Sequence, residues 1–245
     1  MFLALIVVLL VPGMANAREI VAVGTQFGRV FDKNANGEYV GLSVDLLRII
    51  AQRTGDTVRF EIYPWARAQA LVEQGKADIL IGPYKTPERE QRFKFSELAF
   101  YQDQMVFYVR EDTLNTWRGD YTELKGRHVA AVNGWAYGST FDHMRTELDV
   151  ANIDTLRQGL QMLSAGRIDM LASNRRNMEF LLASLESPVK VKPIEPIIDI
   201  QNGYFAFPKL SNHDQMRARF NQVLTQMITS GELTKLARQH GVQIP

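Results

Sequence analysis

Arg89, in the stretch TPERE at residues 86–90, is the side chain of this sequence best suited to gripping a small anion. Its guanidinium is a planar fork of donors that meets a carboxylate with two parallel hydrogen bonds. The competing use is a surface pair with Glu88 or Glu90, which would contribute little. Thr86 before Pro87 reads as a helix cap rather than a ligand contact. Other chemistry is scarce. The four histidines (His128, His143, His213 and His240) are scattered, and none forms a pair at metal-ligand spacing. The absence of cysteine excludes a thiol nucleophile, a disulfide, a cysteine-based zinc site and a lipidated cysteine. No serine stands in a recognisable nucleophile elbow. The chain is therefore expected to be no enzyme and to need no metal or cofactor.

Arg89 must be positioned by the elements around it. EIVAV reads as a buried strand, followed by a loop with turn residues Asn34, Asn36 and Gly37. LSVDLLRIIAQRTG has helical spacing and a glycine stop, TVRFEIY alternates as a strand, and WARAQALVEQG is a short helix. KADILIG is the strand that leads toward Arg89, and MVFYVRED is another after it. Near Val109 the pattern restarts: HVAAVNG as a strand, FDHMRTELDV and LRQGLQMLSAG as helices, RIDMLASN as a strand and RNMEFLLASLES as a helix. GYFAFPK is a late strand, and the helix after it carries Met216, Phe220, Val223, Leu224, Met227 and Ile228 on one face. Alternating strands and helices imply an α/β fold with parallel sheets, here in two units.

One turn is written twice. GKADILIGP begins at Gly75 and GRIDMLASN at Gly166, each with an aspartate three residues after the glycine. In each unit a helix stops at a glycine and a buried strand follows. The strand ends, Gly82-Pro83 and Ser173-Asn174, should then occupy equivalent places at the crevice where open α/β sheets bind ligands.

The net charge of +1 gives no reason to expect nucleic acid or an acidic lipid surface as a partner. The first 17 residues, MFLALIVVLLVPGMANA, have a short apolar core and an A-x-A ending, the pattern of a secretory signal cleaved after Ala17. The apolar run is too short to span a bilayer. No basic residue precedes it, as a signal would have, so the true start is expected to lie elsewhere. The mature chain is expected to be a periplasmic monomer with no membrane insertion of its own.

Five segments in order resemble the periplasmic solute-binding proteins of family 3, the polar amino-acid receptors of ABC importers. They are GEYVGLSVDLLRIIAQRTG, QALVEQGKADILIGPYKTPEREQRFKFSELAFY, LKGRHVAAVNG, LSAGRIDMLASN and GYFAFPK with its helical tail. The resemblance implies a two-lobed fold of type II joined by two crossover strands. Lobe one would comprise residues 18–108 and 204–245, and lobe two residues 109–203. It also implies a small-molecule ligand and a transient membrane permease partner. Arg89 would grip the ligand carboxylate, with Gly82 and Tyr84 contributing from the same loop and Phe27 packing over the ligand. Trp65 and Arg67, in YPWAR, resemble a subgroup in which they wall the cleft. Gly134, Trp135 and Tyr137 stand in the second-lobe loop whose backbone N–H groups hold the other end of an anion. Phe27 and Trp65 are equally compatible with ordinary packing.

Two departures bear on the ligand. Gly24 and Asn174 stand where amino-acid receptors of the family have aspartates, and Asn174 cannot offer a charge to an α-ammonium. A cation left in a desolvated cleft without a counter-charge is costly. Arg67, Arg175 and Arg176 raise the alternative of a carboxylate ligand without a free amine, although solvated arginines at a helix start are the plainer reading of Arg175 and Arg176. The competing functions are a dehydratase-like enzyme on the same fold and a ligand-sensing receptor subunit.

Overall fold

The computed structural model describes residues 17–114 and 117–245. The expected signal segment therefore lies outside the described residues except for Ala17.

The first unit begins with β1 (Glu19–Gly24), a small hairpin of β2 (Asp32–Lys33) and β3 (Tyr39–Val40), and α1 (Leu42–Thr54). It continues with β4 (Thr57–Ile62), α2 (Trp65–Glu73), β5 (Ile79–Tyr84), α3 (Pro87–Arg92) and β6 (Phe93–Phe95). A long strand, β7 (Tyr101–Arg110), leads into the second unit. That unit holds β8 (Val129–Val132), α4 (Ser139–Met144), β9 (Ala151–Ile153), α5 (Leu156–Ser164), β10 (Met170–Asn174) and α6 (Arg175–Ala183). A second long strand, β11 (Val191–Pro208), returns the chain to α7 (Asp214–Thr229) and α8 (Glu232–His240).

The main sheet runs β4-β1-β5-β11-β7-β10-β8-β9, with β6 added against β11. β1 is parallel to β4 and β5, and β8 is parallel to β10 and β9. Each unit is thus a three-stranded parallel sheet with its first strand in the middle. Between them β7 and β11 lie antiparallel to one another and to their outer neighbours, β10 and β5. This is the two-lobed α/β architecture with two crossover strands, and the expected divisions at 108/109 and 203/204 fall inside β7 and β11. The aromatic-rich core continues across these strands, with Phe107 edge-on to Trp117 and Phe100 stacked on Phe205.

The repeated turn is reproduced bond for bond. Gly75 and Gly166 both have left-handed backbones, with φ of 69° and 68°, which a glycine adopts without steric cost. Lys76 N–H bonds Leu71 O at 2.8 Å and Arg167 N–H bonds Met162 O at 2.9 Å, the six-residue closure of a Schellman motif. The aspartates then do the same work. Asp78 Oδ2 accepts from Val21 N–H at 2.8 Å, and Asp169 Oδ2 accepts from His128 N–H at 2.8 Å. Each carboxylate ties the incoming strand to the central one. Asp78 is also bound by His213 at 3.0 Å and paired with Arg18.

Three elements differ from the sequence reading. The helix expected over FDHMRTELDV stops at Met144, because only Leu148 is buried in the next five residues and no apolar face sustains it. β9 has no alternation to betray it and is an edge strand paired only with β8. The late strand begins at Val191, twelve residues before GYFAFPK. Pro193 and Pro196 hide its start, yet residues 191–194 and 199–202 pair with β7 on one side only, where a missing N–H is tolerated, and Pro196 falls in the register shift between the two stretches.

Candidate functional site

Arg89 reaches the seam between the units because β5 ends at Tyr84 and α3 starts at once. Thr86 is the N-cap of α3, its side chain accepting from Arg89 N–H at 3.2 Å. The Arg89 side chain is buried, at 7% exposure. Nη1 donates to Tyr84 O and Nη2 donates across the seam to Gly134 O, both at 2.9 Å. The guanidinium lies 5.5 Å from the centre of the Trp65 ring. No carboxylate stands within ion-pair distance of it among the described residues. Burial accordingly lowers its pKa, against the opposing influence of Tyr84, Tyr101, Glu88 and Asp142.

Trp65 opens α2 and meets Phe27 edge-on at 5.7 Å. Its Nε1 is buried without a hydrogen-bond partner. Gly82 has φ of 79°, and a Cβ there would lie 3.2 Å from the Tyr101 hydroxyl and 3.3 Å from Phe27. The Tyr101 hydroxyl in turn donates to Gly82 O at 2.7 Å. Gly134, in the loop after β8, brings its backbone against Trp65. Phe27, Trp65, Gly82, Tyr84, Arg89 and Gly134 are thus assembled at one place from both units. Tyr137 and Arg67 are not. Tyr137 is fully buried in the second unit, its hydroxyl accepting from Val132 N–H at 2.8 Å and its ring edge-on to Phe141. Arg67 is exposed and lies over the Tyr63 ring at 4.7 Å.

The ends of β5 and β10 meet at the seam. Asn174 Nδ2 donates to the Tyr84 hydroxyl at 3.3 Å, while its Oδ1 caps α6 by accepting from Asn177 N–H at 2.8 Å. The Tyr84 hydroxyl donates to Asp103 Oδ2 at 2.7 Å. Burial, and then the Asp103 charge, push the Tyr84 pKa well above 10.0, so it stays a donor. Asp103 is gripped bidentately by Arg176, with Nε to Oδ1 at 2.9 Å and Nη2 to Oδ2 at 2.7 Å. Arg176 Nη1 also donates across the seam to Gly28 O. The reading of Arg176 as a solvated arginine is therefore corrected: it is 7% exposed, because the first turn of α6 faces β7. Burial opposes its charge, and Asp103 outweighs that to hold its pKa above the usual range. Arg175 is partly exposed and pairs with Glu195 at 2.7 Å. Asp103 was missed in the sequence, although one signal was present. In β7 it alternates with Tyr101 and Met105, an acid in the row that faces inward.

A cavity of about 590 Å³ opens between the units beside this assembly. Thr25, Gln26 and Trp65 line it from the first unit, and Asn133, Trp135 and Phe180 from the second. Arg89 and Asn174 do not reach it; Trp65 and Gly134 stand at the boundary between it and the guanidinium.

The sequence from residue 21 to 243 matches the family model of bacterial extracellular solute-binding proteins, family 3. The chain belongs to this family. As a family 3 solute-binding protein it is 24% identical over 213 residues to the L-cystine-binding protein TcyA of Bacillus subtilis, covering 85% of this chain and 74% of that one. It is 20% identical to the arginine-binding extracellular protein ArtP of the same organism, covering 93% and 88%. Among solved structures it superposes on a histidine kinase sensor domain similar to periplasmic binding proteins with a TM-score of 0.82 at 21% identity, covering 94% and 99%. A putative L-cystine ABC transporter protein from Listeria monocytogenes gives 0.75 at 23% identity, covering 91% and 95%. These curated relatives are binding proteins. No helix among the described residues of this solute-binding protein is long and apolar enough to cross a membrane.

Proposed function

We propose that this solute-binding protein is the exported receptor of an ABC importer. It takes a small carboxylate-bearing solute between its lobes and passes it to a membrane permease. The carrying observation is Arg89, a buried cation whose hydrogen bonds go to two neutral carbonyls, one from each lobe. A ligand carboxylate would exchange those carbonyls for a charge-assisted pair and hold both lobes at once. The indole N–H of Trp65 is a second donor without an acceptor beside it. The cavity lined by Trp65, Trp135 and Phe180 would house the body of the solute. Lobe one comprises about residues 18–108 and 204–245, lobe two about 109–203, and closure bends β7 and β11.

Binding without turnover fits the seam. Both oxygens of Asp103 are engaged by Arg176, and Tyr84 is held in its protonated form. The test is a thermal-shift screen of wild type and Arg89→Ala against small carboxylates and amines. The stabilisation given by any carboxylate should vanish in the variant. An Arg89→Ala protein that binds the same compound with wild-type affinity removes Arg89 from the site.

A further inference from the structure

We infer that the Ala17–Arg18 bond is a processing site coupled to the fold: its hydrolysis turns the Arg18 amide nitrogen into an ammonium that pairs with the buried carboxylate of Asp56 and fastens the start of lobe one. The inference rests on export, as proposed above, and adds what removal of the leader does to the folded chain.

Among the described residues, backbone pairing begins at Arg18, whose carbonyl accepts from Thr57 N–H at 2.9 Å. Its side chain is paired with Asp78, the aspartate of the first repeated turn, which also accepts from Val21 N–H at 2.8 Å. Its own N–H donates to Asp56 Oδ1 at 3.3 Å. Ala17, one residue earlier, is exposed. The small residues Ala15 and Ala17, which a signal peptidase reads, stand immediately before that bond. The cleavage pattern and the first fixed residue of the fold thus meet at one peptide bond.

Asp56 follows Gly55, the left-handed stop of α1, and its side chain is 4% exposed. Its Oδ2 accepts from the Thr54 hydroxyl at 2.7 Å. Arg219 Nη2, from α7, stands 3.7 Å from the same oxygen, beyond hydrogen-bond reach. A carboxylate removed from water without a close counter-charge is disfavoured. Hydrolysis supplies one. Water adds to the Ala17 carbonyl carbon and the C–N bond breaks. The leader leaves with the new carboxylate, and Arg18 N takes up a proton, with an ordinary pKa of about 7.7–8.0. The amide bond to Asp56 Oδ1 then becomes charge-assisted and stronger. The other charges at this corner already face partners: Glu19 lies 3.1 Å from Arg59, and Asp78 is faced by the Arg18 guanidinium and by His213. With the leader attached, Arg18 N is a neutral amide, so the precursor lacks the pair and is the less stable form.

Mass spectrometry of the protein recovered from its own host should give an N-terminal peptide that begins at Arg18. The pairing is read by urea unfolding of two chains with defined starts, at Arg18 and at Ala17, released from a fusion without added residues. Starting at Ala17 moves the ammonium one residue away from Asp56 and should raise the unfolding equilibrium constant roughly tenfold. In an Asp56→Asn background the two chains should be equally stable. Should that variant fail to fold, the pH profile gives the same reading. Pairing raises the native pKa of the amine above its unfolded value. The advantage of the Arg18 chain should therefore be full at about pH 6 and fade as pH rises above about 8. Equal stability of the two wild-type chains at about pH 6 overturns the pairing. A difference that persists in Asp56→Asn, or that does not fade with rising pH, overturns Asp56 as the partner. A mature protein that starts at another residue overturns the processing site, and one that keeps its leader overturns export as well. Ligand binding by the Arg18 chain is measured separately, so the receptor reading stands or falls on its own.

Discussion

A Cβ placed on Gly28 would lie 2.3 Å from Cγ of Phe180, so the first lobe meets α6 of the second with no room for any side chain at this position. The carbonyl of the same glycine accepts from Arg176. Gly28→Val should therefore act on closure. Phe180 is exposed, but the overlap reaches its Cβ and Cγ, so turning the ring alone does not relieve it; overpacking costs about 1–3 kcal/mol, and here it is felt only when the lobes meet. Scattering should show a larger radius of gyration than wild type, and ligand affinity should drop roughly tenfold or more. An unchanged radius together with unchanged affinity would show that the Gly28–Phe180 contact does not limit closure.

Asn174 accepts one hydrogen bond and donates another, which only an amide of this size can do. Asn174→Asp keeps the cap of α6, since aspartate caps as well as asparagine. It loses the donor and sets a carboxylate against the Tyr84 oxygen, close to Asp103. Urea unfolding at pH 7 should show a loss of about 1–3 kcal/mol. A variant as stable as wild type would mean that the Asn174–Tyr84 bond contributes nothing.

The two glycine turns are equivalent in backbone but not in surroundings. An alanine in the left-handed region costs about 1–2 kcal/mol by itself. At Gly75 its Cβ would also lie 2.5 Å from Leu210 Cδ1, whereas at Gly166 the nearest atom is Arg110 Nη1 at 3.8 Å. Leu210 Cδ1 is the tip of an exposed side chain that can rotate away, so Gly75→Ala and Gly166→Ala should lose stability by similar amounts, which thermal unfolding of the two variants compares. A markedly larger loss at Gly75 would show that Leu210 is held in place.

Burial raises the pKa of Asp142 above its ordinary 3.8, against the lowering effect of the N–H groups of Tyr137 and Gly138 and the charge of Arg145. The native state therefore keeps a proton that the unfolded chain has already released. Whatever this group contributes to stability is present below pH 3.8 and is lost as pH rises through the higher native value. Asp142→Asn should remove that loss. The stability of the variant minus that of wild type should rise with pH across the window above 3.8. A difference that falls with pH would contradict the sign of the shift.

Much of the fold was legible because it is written in short range. The helix stop at Gly75, the cap at Thr86 and the apolar face from Met216 to Met227 each depend on residues within a few turns of one another. The site was legible in part. Arg89 could be picked out by its chemistry, but that its bonds go to carbonyls of both lobes could not. Tyr137 looked like a cleft aromatic because it follows Gly134 and Trp135, yet its hydroxyl turns back to Val132. Neighbouring residues in a loop share an address and not a direction.

By itself the sequence determined two α/β units, the glycine-stopped helices that feed their inner strands, and a membership in a solute-binding family. The first two follow from periodicity and local hydrogen bonding, which each segment carries within itself; the family follows from the resemblance of five segments in order. Only the tertiary structure decided what Asn174 and Arg176 do. Asn174 bonds a tyrosine 90 residues away, and Arg176 bonds an aspartate 73 residues away and a carbonyl 148 residues away. Such pairings exist only once two lobes face each other across β7 and β11, and no local pattern encodes the distance between surfaces that fold separately.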